Sequence, residues 1–214
     1  MAGPIKITNK VKEKLARDEV VSSMTVRLCR TIEVAQIAAT AGFDTLYVDV
    51  EHNGYSFDTT GQICMAALAV GVTPFVRVPT TRPEHVGAAL DAGALGVIAP
   101  HIRSAADAIR LVRSAKFPPL GDRGAIGQLP HFGYRSLATA DANRALNEAT
   151  TVMVMMETVE ALEHVEEIAE VDGVDMMMIG TNDLTAEMGI PGDYDNPKVR
   201  AAYQRTIDAC RKHG

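Results

Sequence analysis

The chain has 214 residues and a formal charge of −6, with 47% hydrophobic residues, 5% aromatic residues and no Trp. That length suits one large domain, the lack of a basic cluster argues against nucleic acid or an anionic membrane surface as partner, and a core of Ala, Val, Leu, Ile and Met suits buried parallel strands. Cys29, Cys64 and Cys210 have neither CxxC nor zinc spacing, and no signal-peptide core follows Met1; with no apolar run near the ~20 residues of a membrane span, a reduced, cytoplasmic protein is expected.

Residues 7–18 pattern as a short amphipathic helix, with Val11 and Leu15 on one side, suited to a lid or a packing helix. From Val20 a unit repeats: a strand, a helix closed by Gly, and a turn into the next strand. The first strand spans Ser23–Leu28 and its helix Thr31–Thr40, stopping at Ala41-Gly42. The second strand, Thr45–Val50, leaves through Glu51-His52-Asn53-Gly54, and a helix near Thr60–Val70 stops at Gly71. The third strand, Pro74–Val78, carries Arg77; a helix over Pro83–Ala92 stops at Gly93, and Ala94–Ala99 is the fourth strand. Ser104 is a good amino-terminal cap for a helix over Ala105–Lys116.

The rhythm breaks at Phe117–Arg135, which holds three Pro and four Gly. Such a stretch is a lid, a binding loop or a surface excursion. A helix near Ala140–Glu148 then leads to the fifth strand, ending Met155-Met156-Glu157. A charged helix over Glu160–Glu170 and the turn Asp172-Gly173 lead to the sixth strand, ending Ile179-Gly180-Thr181-Asn182-Asp183, and Asn196-Pro197 starts a last helix. Six such units, with no Gly-rich phosphate fingerprint after the first strand, predict a TIM-type (β/α)8 barrel rather than a doubly wound sheet. Closure needs eight units. The expectation is therefore a single barrel domain over residues 1–214, with about six units present and truncation before the seventh strand.

Chemistry in such folds sits at the carboxyl ends of the strands. Glu157 and Asp183 fall there without a Cys or His beside them, as oxygen ligands of a hard divalent cation would, although helix capping explains the same positions. Strand alternation puts Asp49, Glu51, Arg77 and Glu157 on converging faces. Arg77 is then either a buried partner of Asp49 or Glu51 or a group that meets substrate. His52 is a solvated loop residue or a base beside those acids. Of the other histidines, His101 and His131 are placed near the mouth. Asp91, in the last turn before Gly93, opposes the helix dipole and calls for a cation or an imidazole N–H unless it is simply exposed.

The ordered set Gly42-Phe43-Asp44, Asp49-Val50-Glu51-His52, Val76-Arg77-Val78-Pro79, Leu90-Asp91-Ala92-Gly93, Pro118-Pro119-Leu120-Gly121-Asp122-Arg123-Gly124, Met156-Glu157-Thr158 and Ile179-Gly180-Thr181-Asn182-Asp183 resembles the HpcH/HpaI aldolase family from about residue 20 onward. The resemblance implies a (β/α)8 barrel, usually hexameric, that binds Mg²⁺, Mn²⁺ or Co²⁺ through Glu157 and Asp183. It implies that Arg77 steadies a pyruvate enolate, that His52 is the acid/base, and that Asp91 raises the basicity of His52. The peptide N–H groups around Gly180, Thr181, Asn182 and Asp183 would hold the substrate carboxylate. The implied reaction is reversible cleavage of a 4-hydroxy-2-oxo acid to pyruvate, or a related 2-keto acid, and an aldehyde. No Lys stands at a strand end to form a Schiff base.

Met155 stands where the family commonly has Gln, Thr181-Asn182 where it has Pro-Ala, and Gln128-Leu129-Pro130-His131 where an Arg is frequent. Arg27 and Arg30 in the first unit either recruit a second carboxylate or are surface charges. These departures keep open a related enolate enzyme, such as an oxaloacetate decarboxylase of the macrophomate synthase kind or an acyl-CoA lyase. A metabolite-binding barrel without turnover predicts no metal dependence.

Overall fold

The computed structural model describes residues 5–213; residues 1–4, read above for targeting, and Gly214 lie outside it. The repeat of apolar strand and Gly-stopped helix is realised as six parallel strands in the order of the chain: β1 (Ser23–Val26), β2 (Thr45–Asp49), β3 (Thr73–Arg77), β4 (Gly96–Ala99), β5 (Thr151–Met156) and β6 (Met176–Ile179). The sheet curls into part of a barrel, with β1 and β6 as its edges. Ten α-helices are present among the described residues: α1 (Lys10–Leu15), α2 (Glu33–Thr40), α3 (Phe57–Ala69), α4 (Pro83–Asp91), α5 (Ala105–Ala115), α6 (Thr139–Ala149), α7 (Val159–Glu163), α8 (Val165–Ala169), α9 (Thr181–Glu187) and α10 (Pro197–His213). None of them is long and apolar enough to cross a membrane.

Alternation along each strand creates two apolar layers. Leu46, Val48, Val76, Val97, Ala99, Val152, Val154 and Met156 pack under the helices in the main core. Each of the Leu, Val and Met side chains contributes roughly 1.5–3 kcal/mol by leaving water. The inner layer gathers Phe75, Ile98, Met153 and Met155, with Tyr47, Met176 and Met178 half-buried against them. Gly96 makes room for this layer, because a Cβ there would stand 2.5 Å from the Phe75 ring. Met153, Met155, Met176 and Met178 fill this concave face with unbranched chains, while Met156 and Met177 pack in the outer core.

Helix α1 is a packing helix that closes the amino end of the sheet. Asn9 caps it through the N–H groups of Val11 and Lys12, while its amide donates to the Ala149 carbonyl at 2.7 Å and to Thr151 Oγ1 at 3.1 Å. Val11 enters the inner layer from below. The opposite end, where the strands point, stays open.

Several expected boundaries shift for local reasons. Strand β1 ends at Val26, which leaves Arg27 and Leu28 beyond the ladder. Helix α3 starts at Phe57 because Ser56 accepts from Thr59 N. The helix expected over Glu160–Glu170 is two, broken at His164 (φ −99°, ψ 15°). Residues 117–135 form no lid over the open end. They build a flanking cluster in which Phe117, Leu129 and Phe132 pack on Ala145 and Leu146. Lys116, whose burial lowers its pKa to about 8, ties this cluster to the carbonyls of Asn147 (2.8 Å) and Thr150 (2.7 Å). His131, expected near the mouth, instead donates from Nε2 to the carbonyl of Ala94, ahead of β4, at 3.0 Å.

Candidate active site

The register β2 to β3 sets Asp49 beside Arg77. Asp49 is fully buried; it accepts Arg77 Nε at 2.9 Å on Oδ1 and Nη2 at 2.6 Å on Oδ2, a bidentate pair. Oδ1 also accepts the N–H groups of Glu51 (3.1 Å) and His52 (3.2 Å), so one carboxylate orients the guanidinium and folds the turn that carries His52. Burial alone would raise Asp49, but the bonds from Arg77 and from the His52 and Glu51 backbone outweigh it and hold the carboxyl below its ordinary value. The Tyr47 ring lies 5.5 Å from the Arg77 guanidinium, and Met155 Sδ lies 3.9 Å from Arg77 Nη1. Where an amide would hydrogen-bond, the thioether offers Arg77 only a weak acceptor.

The register β5 to β6 aligns Met156 with Ile179, so Glu157 meets Gly180. The approach is close: a Cβ on Gly180 would lie 2.8 Å from Glu157 Cβ and 3.0 Å from Oε2. Glycine is needed here because it has no side chain, with no demand for a left-handed backbone. Gly180 also accepts the first helical N–H of α9, from Leu184 at 3.0 Å. The N–H groups of Thr181, Asn182 and Asp183 therefore have no carbonyl one turn back in the helix, as at any helix start. Asp183 itself is exposed in that first turn.

The link between these two regions is His101, which the sequence placed at the mouth without assigning it a partner. Its backbone sits in the left-handed region (φ 60°), where its N–H donates to Glu157 Oε1 at 2.5 Å. Its ring bridges the acids, with Nδ1 2.9 Å from Glu157 Oε1 and Nε2 3.0 Å from Glu51 Oε1. The signal was register: Ala99, the last residue of β4, pairs with Val154, so His101, two residues on, comes level with Met156, the last residue of β5, just before Glu157. Glu51 Oε2 is buried and lies 3.0 Å from Arg77 Nη1 and 3.6 Å from His52 Nε2, yet it is aligned with neither as a hydrogen-bond acceptor.

A cavity of about 410 Å³ opens between the sheet edges, lined by Arg27, Tyr47, His52, Arg77, Met155, Met178 and the run Gly180 to Asp183. Asp49 lies behind this wall and meets it through Arg77, through Arg27, whose Nε is 3.5 Å from Oδ2, and through the His52 N–H. Asp91 is elsewhere: it pairs with Arg123 Nη2 at 2.6 Å and lines a separate groove with Arg82 and Arg113. The cation that its helix position called for is this buried Arg123, stacked 4.5 Å over Phe117, and among the described residues no hydrogen bond or ion pair joins Asp91 to His52.

No group of three or more His, Cys, Asp or Glu side chains among the described residues forms a ready metal cage. The acids nevertheless outnumber their cations. Burial raises the Glu157 pKa above the ordinary carboxylate range; His101 opposes the rise, while Glu51 and Asp183 add to it. Glu157 and Asp183 are oxygen donors of the kind that could hold a hard divalent ion together with water or substrate oxygens.

The chain as a whole is similar to proteins of known kind. The family model described as HpcH/HpaI aldolase/citrate lyase matches residues 28–214. The chain is 40% identical to the 4-hydroxy-4-methyl-2-oxoglutarate aldolase of Chaetomium globosum over 96% of its own length and 77% of that enzyme's. It is 33% identical to the 4-hydroxy-2-oxo-heptane-1,7-dioate aldolase of Klebsiella pneumoniae, with 97% of this chain and 78% of that one covered. The crystal structure of an HpcH/HpaI aldolase from Desulfitobacterium hafniense superposes with a TM-score of 0.92 at 32% identity, covering 97% of this chain and 80% of the other. On the family match over residues 28–214 and the similarity to these relatives along most of its length, the chain belongs to the HpcH/HpaI aldolase/citrate lyase family.

Proposed function

We propose that this protein, a lyase of the aldolase kind, reversibly cleaves a 4-hydroxy-2-oxo acid into pyruvate, or a related 2-keto acid, and a carbonyl partner. The observation that carries this reading is the meeting of Arg77, His52 and the α9 amino terminus around one cavity, beside two strand-end carboxylates whose charge is unmet. We read the six strand–helix units as part of a (β/α)8 barrel in a cytoplasmic homo-oligomer, hexameric as the family resemblance implies.

Glu157 and Asp183 would hold the divalent ion, Mg²⁺, Mn²⁺ or Co²⁺. When bound, it supplies a Lewis acid for the oxygens of a 2-keto acid. The unpaired N–H groups of Thr181, Asn182 and Asp183 take the substrate carboxylate, as helix amino termini take anions. Arg77, fixed in direction by Asp49, faces the C2 oxygen as negative charge grows there. His52 removes the proton of the C4 hydroxyl, directly or through one water. The C4–O electrons form the carbonyl of the leaving partner as the C3–C4 bond breaks, and that bonding pair passes through C3 to C2 and its oxygen. A proton added at C3 completes pyruvate. Asp49 is a positioning residue here, since it does not line the cavity and acts through Arg77 and the His52 backbone.

The test is exchange of the pyruvate C3 protons in D₂O, followed by NMR with added Mn²⁺ or Mg²⁺ and again with excess chelator. Metal-dependent exchange is expected. A rate no faster than in the protein-free control overturns the reading.

A further inference from the structure

We propose that His101 is a positioning residue of the metal site, one that holds Glu157 by Oε1 so that Oε2 is the oxygen presented to the divalent ion. The inference rests on the reading of Glu157 and Asp183 above and adds to it the group that aims one of those ligands.

The turn after β4 is built to hold His101 in place. Pro100 and Ile102 are buried on either side of it and Ser104 then caps α5, so the chain has to bend within a few residues of the strand exit. His101 takes that bend in the left-handed region, at φ 60°. Among the described residues Asp18, Gln128 and Tyr134 are the other non-glycine residues with positive φ, and none of them stands at a strand exit. Strain of this kind in a residue with a side chain gathers at functional sites. Here it points the backbone N–H at an acid.

Two contacts from this one residue converge on a single oxygen. The N–H donates to Glu157 Oε1 at 2.5 Å, and ring Nδ1 lies 2.9 Å from the same atom. Nε2 lies 3.0 Å from Glu51 Oε1, and Glu51 is itself 3.0 Å from Arg77 Nη1, which keeps the ring from swinging away. With each ring nitrogen turned to a carboxylate, neither is left for a cation, so His101 acts on the ligand rather than as one. The side chain is 63% exposed, so packing does not explain its place. Oε2 is the other end of the carboxylate. No hydrogen bond reaches it among the described residues, and it faces Gly180, where a Cβ would stand 3.0 Å away, just ahead of the helix that carries Asp183. The exits that bring Glu51, His101 and Glu157 together belong to β2, β4 and β5, all interior strands whose register is fixed from both sides. A carboxylate held by one oxygen is already oriented when the ion arrives at the other.

The experiment measures Mn²⁺ affinity, from the EPR signal of the free ion and without substrate, for the unaltered protein, His101→Gly and His101→Asn. Both replacements accept a positive φ, so they remove the ring and spare the turn. In His101→Gly the Mn²⁺ dissociation constant should rise about 10- to 100-fold. His101→Asn, which restores one amide donor, should rise less. Metal-free melting temperatures should hold in both, and excess Mn²⁺ should return most of the pyruvate C3 exchange. An unchanged affinity in His101→Gly overturns the proposal, as does a loss that only accompanies a fall in melting temperature, the mark of a merely structural residue. The two levels separate cleanly. Mn²⁺ bound without pyruvate exchange removes the aldolase reading and leaves the affinities to decide the role of His101, whereas no Mn²⁺ binding by the unaltered protein removes the metal site and this inference with it.

Discussion

The exits of β2 and β3 and the exits of β5 and β6 both carry carboxylates, but they manage the charge in opposite ways. At the first, Asp49 receives two N–H donors from Arg77 and two from the backbone, and nothing is left for a ligand to supply. At the second, Glu157 is buried with only His101 to meet it, and Asp183 is exposed at a helix start. The first pair is part of the folded framework, whereas the second leaves carboxylate charge without a cation, which is why we propose it as the metal site. One strand-end motif, an acid after an apolar run, therefore has two physical outcomes, decided by whether the neighbouring strand brings a guanidinium or a glycine.

The sharpest way to break this contrast is to neutralise one acid on each side. Glu157→Gln should abolish metal-dependent pyruvate exchange, a loss of several kcal/mol in barrier lowering. Its melting temperature without metal should hold or rise, because a desolvated carboxylate becomes an amide of the same shape. A variant that retains exchange would remove Glu157 from the metal site. Asp49→Ala should do the reverse. It leaves the nearly buried Arg77 without its main partner, at a cost of about 3–5 kcal/mol in unfolding free energy. Urea denaturation reads that loss, and a change under ~1 kcal/mol would mean that the pair is not part of the framework.

The smallest effect lies outside both regions, at His131. Burial lowers its pKa from 6.5 to about 4, and its buried Nδ1 has no partner. Between those values the unfolded chain binds a proton that the folded one does not, so stability falls as pH drops from 6.5 to 4, by roughly 2–3 kcal/mol in all. His131→Gln should flatten that part of the acid limb in thermal melts at stepped pH. An unchanged slope would assign the acid sensitivity to other groups.

Much of this was legible in the residues. The strand–helix rhythm, the Gly stops, Ser104 as a cap and the strand-end positions of Glu157, Arg77 and Asp183 follow from local rules, because periodicity and capping act within one element. Arg77 was left open between buried partner and reacting group, and the geometry lets it be both: bound to Asp49 from behind and facing the cavity in front. What could not be read were contacts that depend on how far one strand slides past the next. His101 bridges Glu51 and Glu157 only because β4 ends two residues short of β5, which brings His101 level with the β5 exit, and the ring of His131 turns to Ala94 because residues 117–135 fold onto α6 rather than over the mouth.

Asp91 shows the same limit. Its place in the last turn of α4 called for a cation, which is a local electrostatic rule, but the identity of that cation as Arg123, thirty-two residues on, came from the packing of the irregular segment. Sequence alone determined the element types, the family and the set of acids at the strand ends, since these are written in short-range pattern and motif order. Only the tertiary structure decided which acids are paired and which are left unmet, because charge pairing depends on distances across the sheet that no local pattern encodes.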